Sequence, residues 1–192
     1  MSKAATTPCE SLYLGGLYED ENGDYQFDGQ MDAETFDLAC ARLGRNNAPA
    51  LLSGLYYSGS LDLAAHPSVV AVAWSISEHP ESALEQDVWD ELFRTAGYTE
   101  DGRPAAPPTG PVTVYRGCTP SGREGMSWTS DLTVARRFAH GQLRGRGVGH
   151  VYALDAKPDR VLAYIHEIGR LESEYVIDIS CVLPEAVRLV ED

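Results

Sequence analysis

The stretch LESEYVIDI places Glu172 and Glu174 two residues apart at the mouth of a run rich in Val, Ile and Tyr. Residues i and i+2 of an extended strand share a face, so both carboxylates are expected on one side. Val176 and Asp178 would follow them there, with Tyr175, Ile177 and Ile179 on the other side. Two adjacent carboxylates repel, which raises at least one pKa unless a cation or substrate is shared between them. Upstream, VYRG carries Arg116, whose guanidinium can grip an anion through two parallel charge-assisted hydrogen bonds. Between these segments, SWTSD offers the hydroxyls of Ser127, Thr129 and Ser130 around Trp128.

Several familiar motifs fail on inspection. HEIGR, residues 166–170, starts like a zinc-protease helix but has Arg170 where the second His must stand. RGRGVGH is glycine-rich without the spacing of a phosphate loop or dinucleotide fingerprint, and reads as a flexible turn. GMSWT is not a nucleophile elbow. Asp24, Gln26, Asp28 and Gly29 partly follow the order of a calcium loop, but Thr35 occupies the place of its bidentate Glu, so no metal is expected.

The chain has 192 residues, 43% of them hydrophobic, enough for one domain with a real core. Its formal charge of −14 argues against nucleic acid as a partner, since a phosphate backbone is captured by many basic side chains acting together. The charge is uneven. Residues 1–110 carry 5 basic and 18 acidic side chains, residues 111–160 carry 8 and 4, and residues 161–192 carry 2 and 7. The net-positive middle is where a small anionic ligand would be held. No apolar run spans a bilayer and the N-terminus lacks the layout of a leader, so a soluble, unexported chain is expected. Cys9, Cys40, Cys118 and Cys181 are widely spaced, which fits mostly buried thiols in a reducing cytoplasm.

Positioning these side chains falls to elements that the pattern predicts. LYLGGLYEDENGDYQFDGQ has two aromatic-rich arms about Asn22-Gly23, the signature of a β-hairpin with a type I′ turn. Asp32 should cap a helix that buries Phe36, Ala39, Cys40 and Leu43 and ends at Gly44. Further helices are predicted from Pro49 to Tyr57, Pro67 to Ile76 and Pro80 to Ala96, the last with an apolar stripe of Leu84, Val88, Trp89, Leu92 and Phe93. TEDGRPAAPPTGP, residues 99–111, reads as a connector. Beyond it the character turns to β: strands are predicted at 112–117, 126–129, 149–156, 160–165 and 174–183. One helix interrupts them at 131–140, capped by Ser130 or Asp131, with Leu132, Ala135, Phe138 and Ala139 facing the sheet. The class is α+β, with a hairpin and helical part over residues 1–110 and a β-rich part over 111–192 belonging to the same domain.

The order VYRG, then SWTS leading into a helix, then ExE on a late strand resembles the Arg–Ser–Glu branch of the mono-ADP-ribosyltransferases, the cholera-toxin-like and clostridial-toxin-like family. The resemblance covers residues 112 to 180. It implies a split mixed β-sheet core preceded by helices, NAD as substrate, and transfer of ADP-ribose to a protein acceptor with release of nicotinamide. By the resemblance Tyr115, Arg116 and Gly117 match the aromatic-Arg strand, with Arg116 anchoring the NAD phosphates and Arg136 or Arg137 as helpers. Thr129 and Ser130 match the last two members of the family's Ser-Thr-Ser and would brace the site. Trp128 stands where the first Ser belongs, with Ser127 one position earlier, so Trp128 either stacks on the ligand or packs in the core. Glu174 matches the family's catalytic glutamate, and Glu172 the position that selects the acceptor, a Glu there being the signature for arginine. HEIGR lies where the family keeps its substrate-recognition turn. NAD hydrolysis, and a catalytically inactive binding module, are the alternatives the same residues leave open. The family includes toxins, effectors and phage-encoded modifiers of host proteins.

Overall fold

The N-terminal hairpin pairs strand β1 (Leu17–Glu19) with β2 (Tyr25–Phe27), Leu17 opposite Phe27. This computed structural model describes residues 14–141, 148–168 and 172–190; Cys9, most of the RGRGVGH turn, and Gly169 and Arg170 of HEIGR lie outside the described residues. The hairpin turn differs from the expected type I′. Gly23 alone in the loop has a positive φ, 86°, and its N–H donates to the Asp20 carbonyl at 3.1 Å. The Asp20 carboxylate accepts from the backbone N–H groups of Asn22 and Asp24 at 2.8 and 3.0 Å. An aspartate able to bond its own backbone thus selects a longer loop over the two-residue turn.

Helix α1 (Ala33–Leu43) is capped by Asp32, which accepts from Thr35 N–H at 2.8 Å, and stops at Gly44 with φ 91°. Helices α2 (Ala48–Tyr57) and α3 (Ser68–Ile76) follow. The single helix predicted over 80–96 is two, α4 (Pro80–Ala83) and α5 (Gln86–Ala96), because Leu84 and Glu85 are extended, with ψ of 155° and 154°. Two buried bonds hold α4 off the axis of α5: the Trp89 indole N–H donates to the Pro80 carbonyl at 2.9 Å, and Glu81 pairs with Arg116 at 2.8 Å.

The remaining elements form a sheet of β3 (Thr99–Glu100), β4 (Arg103–Pro104), β5 (Val112–Cys118), β6 (Ser127–Thr129), β7 (His150–Ala156), β8 (Val161–Ile165), β9 (Glu174–Ile177) and β10 (Arg188–Leu189), with α6 (Leu132–Ala139) between β6 and β7. The strand order is β10-β7-β5-β6-β9-β8-β3-β4, antiparallel except where β3 runs parallel to β8. With the helices this is an α+β fold. In the middle the ladder narrows to one pair, Tyr115 opposite Thr129, between β5 and β6.

Three features depart from the sequence-based expectation. The connector 99–111 supplies β3 and β4, made extended by pairing rather than by local preference: β3 pairs with β8, and β4 with β3. The strand predicted over 174–183 ends at Ile177. There the Asp178 carboxylate is taken by Arg94 at 2.6 Å, Arg160 at 2.5 Å and the Ser180 hydroxyl at 2.6 Å, which turns the chain out of the sheet. Burial alone would raise the Asp178 carboxyl, but the bonds from Ser180 and Arg160 outweigh it and hold the group below its ordinary value. The third is β10, which no pattern announced.

The core ignores the change in composition at residue 110. Phe36, Leu52, Trp74, Trp89 and Phe93 from the helices pack in one cluster with Met126, Leu162, Ile165 and Val176 from the β-rich part. A second cluster holds Val114, Trp128, Leu154, Val161 and Ile177. Helix α6 lies directly on β5 at Gly117, where an added Cβ would come within 1.8 Å of the Ala135 carbonyl oxygen. Cys40 and Cys118 are buried and Cys181 is exposed. Among the described residues no helix is long and apolar enough to cross a membrane.

Gly117→Ala should therefore push α6 off the sheet and lower stability by about 2 kcal/mol or more. A urea midpoint equal to the wild type's would show that the contact yields freely.

Candidate functional site

The narrow point of the sheet opens into a cleft of about 650 Å³, its mouth included. Tyr115, Arg116 and Gly117 of β5 form one wall, and Ser127, Trp128 and Thr129 of β6 the floor. Glu172 and Glu174 close the far side, and His79, Pro80, Glu81 and Ser82 at the start of α4 form the roof. Phe138 of α6 completes the lining. The positions predicted at opposite ends of the site, 116 and 174, thus face the same hollow.

Glu174 is held by groups far away in sequence. Its Oε1 accepts from the Trp74 indole N–H at 3.0 Å and from the Ser127 hydroxyl in a short hydrogen bond. The register explains the second bond: β6 and β9 run antiparallel with Ser127 opposite Val176 and Thr129 opposite Glu174, so Ser127 and Thr129 share the face that Glu174 occupies. Trp128 points the other way, is 1% exposed, and donates its indole N–H to the Gly125 carbonyl at 2.8 Å. It packs in the second core cluster. The hydroxyl that orients Glu174 is therefore Ser127, one place before the position the family pattern marks.

Thr129 braces the backbone. Its Oγ1 donates to the Glu172 carbonyl at 2.7 Å and accepts from Asp131 N–H at 3.0 Å, joining the carboxylate segment to the cap of α6. Asp131, not Ser130, makes that cap, accepting from Thr133 N–H at 2.7 Å. Ser130 is exposed and outside the cleft lining; its backbone N–H donates to the Ser173 carbonyl at 3.1 Å. Arg136 and Arg137 are not among the lining residues either.

Glu172 reaches the cleft by a different route from the one the period-2 pattern supplied. The strand begins only at Glu174, and Ser173 before it has a left-handed φ of 48°. The bend is fastened by the Ser173 hydroxyl against His166 Nδ1 at 3.0 Å. His166 and Glu167 in turn donate their backbone N–H groups to Asp101 Oδ1, each at 2.7 Å. The hairpin of β3 and β4, invisible as strands in the sequence, thereby anchors the HEI turn beside the carboxylates.

Arg116 is the largest departure. The resemblance implies a fork presented to phosphates, yet Arg116 is 8% exposed and its donors are engaged within the protein. Its Nη1 and Nη2 meet the two oxygens of Glu81 at 3.2 and 2.8 Å, Nη1 also donates to the Ser127 carbonyl, and Nε to the Gly122 carbonyl at 2.8 Å. Ser127 N–H completes the joint by donating to Glu81 Oε1 at 2.9 Å. The loop crosses so close that a Cβ on Gly125 would stand 2.1 Å from Arg116 Nη2. Burial works against both charges, but each outweighs that penalty for the other, holding Glu81 below and Arg116 above its ordinary value. In this geometry Arg116 frames the cleft.

Sequence reasoning missed Glu81 and Trp74. Glu81 gave little sign of itself, since an acidic residue near a helix start reads as an ordinary dipole partner. Trp74 was detectable in principle: an indole N–H in the apolar run SVVAVAWSI needs an acceptor when buried. Edge-to-face contacts with Trp89 and Phe93, at centroid distances of 5.0 and 5.6 Å, fix the direction in which that N–H points.

The chain matches no protein-family model, no curated protein and no solved structure.

Glu81→Gln should cost about 3 kcal/mol at pH 7, since it strands a buried guanidinium. Because the Glu81 carboxyl lies below its ordinary value of 4.5 in the folded state, the pair's stabilisation is complete above that value and fades as pH falls through the folded one. Urea unfolding at a series of pH values should show the gap between wild type and Glu81→Gln narrowing only on the acid side of 4.5.

Proposed function

We propose that this chain is an NAD-dependent mono-ADP-ribosyltransferase that modifies an arginine side chain of a protein acceptor and releases nicotinamide. One observation carries the reading: a glutamate fixed by two donors, a second glutamate and an aromatic-Arg strand meet in one cleft at the narrow point of a mixed sheet. The narrowing between β5 and β6 is where the split sheet of that family would open.

In the proposed reaction the bond between the nicotinamide nitrogen and ribose C1′ breaks with positive charge growing on the sugar. Glu174 accepts from the ribose 2′-hydroxyl, and a carboxylate already oriented by Trp74 and Ser127 stabilises that charge more than it stabilises bound NAD. Interactions at the neighbouring hydroxyl strengthen in such a transition state, as they do in glycosidases. The nucleophile is a guanidine nitrogen of the acceptor, which Glu172 holds and helps deprotonate. Tyr115, Phe138 and His79 give the cleft flat surfaces against which the rings of a dinucleotide can lie. Arg116 acts through Glu81 and Ser127, keeping β6 at the distance from β5 that the cleft requires.

The engagement of Arg116 by Glu81 is the observation that favours a second reading, a catalytically inactive binding module. Calorimetry separates the two: the module binds a partner but neither NAD nor its fragments.

Incubation of the pure protein with labelled NAD and a cell lysate should label a protein band, and Glu174→Gln should reduce labelling by about 10²-fold to 10³-fold. Equal labelling by wild type and Glu174→Gln sinks the proposal. Trp74→Phe keeps the aromatic packing but removes the N–H, and should lower kcat about tenfold with KM little changed.

A further inference from the structure

We infer that Asp101, at the tip of the β3–β4 hairpin, is a positioning residue for Glu172 and so for the guanidine acceptor, acting through the HEI turn and Ser173. The role of Glu172 rests on the transferase reading. Asp101 itself lies outside residues 112 to 180, which carry the family resemblance.

Backbone conformation singles the residue out. Asp101 and Ser173 are the two residues other than glycine with a left-handed φ among the described residues, at 49° and 48°. Such conformations are uncommon where a side chain is present, and they persist where the surroundings hold them. Here both fasten one connection: the chain that leaves β8 at Ile165 and returns as β9 at Glu174, directly opposite.

Asp101 and Gly102, with φ of 49° and 72°, are the two central residues of a type I′ turn between Glu100 and Arg103. Aspartate in a turn commonly bonds the backbone near it, but this carboxylate reaches across to another segment. Its Oδ1 accepts from the backbone N–H groups of His166 and Glu167, each at 2.7 Å, while the Asp101 N–H donates to the Tyr164 carbonyl at 2.9 Å. The tip thus grips the chain on both sides of Ile165. It also has a fixed seat: a Cβ on Gly102 would stand 3.0 Å from Ser68 Cα, at the start of α3, and 3.5 Å from Ile168 Cδ1. Strands of two residues each add little to the core, so the hairpin makes physical sense as an arm that carries this carboxylate.

From His166 the path runs to Ser173, whose hydroxyl meets His166 Nδ1 at 3.0 Å. The opposite side of that segment is held by β6 and its end, through Thr129 Oγ1 on the Glu172 carbonyl at 2.7 Å and Ser130 N–H on the Ser173 carbonyl at 3.1 Å. Glu172 therefore sits in a segment clamped from two sides. Loosening the Asp101 side lets the bend at Ser173 relax and moves Glu172, whereas Glu174 keeps Trp74, Ser127 and its partners in the sheet. Acceptor binding and NAD binding become separable.

The test is steady-state transfer by the full chain, varying NAD and agmatine, a small guanidine acceptor, with a dilution series of lysate as acceptor where agmatine is not modified. Asp101→Gly keeps the left-handed turn and removes only the carboxylate; Ser173→Gly does the same at the other end of the path. Each should raise the acceptor KM about tenfold or more, with KM for NAD within about threefold of wild type. Asp101→Asn, which keeps the accepting oxygen and tolerates the same φ, should stay within about threefold in both constants. Amide hydrogen exchange at His166 and Glu167 should quicken at least about tenfold in Asp101→Gly and not in Asp101→Asn. An unchanged acceptor KM, an equal rise in both KM values, or no rescue by asparagine overturns the inference and leaves the transferase reading standing. A wild type that labels neither agmatine nor any protein of the lysate overturns that reading and this inference together.

Discussion

The buried pair of Arg116 and Glu81 is the constraint on which the site depends. β5 and β6 share a single ladder pair, so backbone hydrogen bonding alone does little to hold the two strands together. Beside that pair the guanidinium bonds the Glu81 carboxylate, the Ser127 carbonyl and the Gly122 carbonyl, and Glu81 takes the Ser127 N–H in return. Strand, loop and helix are thereby fixed at one joint. Such a pair gains little over a well-packed apolar substitute, and its effect lies in specifying one arrangement. The arrangement it specifies gathers β5, β6 and the start of α4 around one cleft.

The helical half is part of the site for the same reason. Glu174 begins a strand of the β-rich part, but one of its two donors is an indole on α3 and the cleft roof is the start of α4. A carboxylate fixed by donors from two structural layers loses little freedom when a ligand arrives, which is the physical basis of preorganised electrostatic stabilisation. The T-shaped packing of Trp74 on Trp89 and Phe93 ties that donor to the centre of the core. Core packing and site geometry are here the same set of contacts.

Local chemistry was legible where it dominates. Asp32 caps α1 and Gly44 ends it, as their types require, and α6 is capped by Asp131, one of two candidates at that position. Ser127, Thr129 and Glu174 were visible as residues, but their mutual contact depends on the register of β6 against β9, which no single segment encodes. The period-2 argument put Glu172 and Glu174 on one side; they do line one cleft, yet through a left-handed bend at Ser173 that the argument did not contain. The connector 99–111 shows the opposite failure: its proline and glycine content hid two strands, because β3 is held by β8, some sixty residues away, and β4 only by β3.

The sequence by itself determined the α+β class, most helix positions, the β-rich character of the last eighty residues and the residue types able to do chemistry. Those follow from short-range preferences and apolar periodicity, which each segment carries within itself. Only the tertiary structure decided that Arg116 spends its fork on Glu81, that Trp74 reaches Glu174, and that the Ser127 hydroxyl, with the Trp128 ring packed in the core, bonds Glu174. Each of those depends on groups from separate segments meeting at hydrogen-bond distance, a relation set by how the layers pack and carried by no one segment alone.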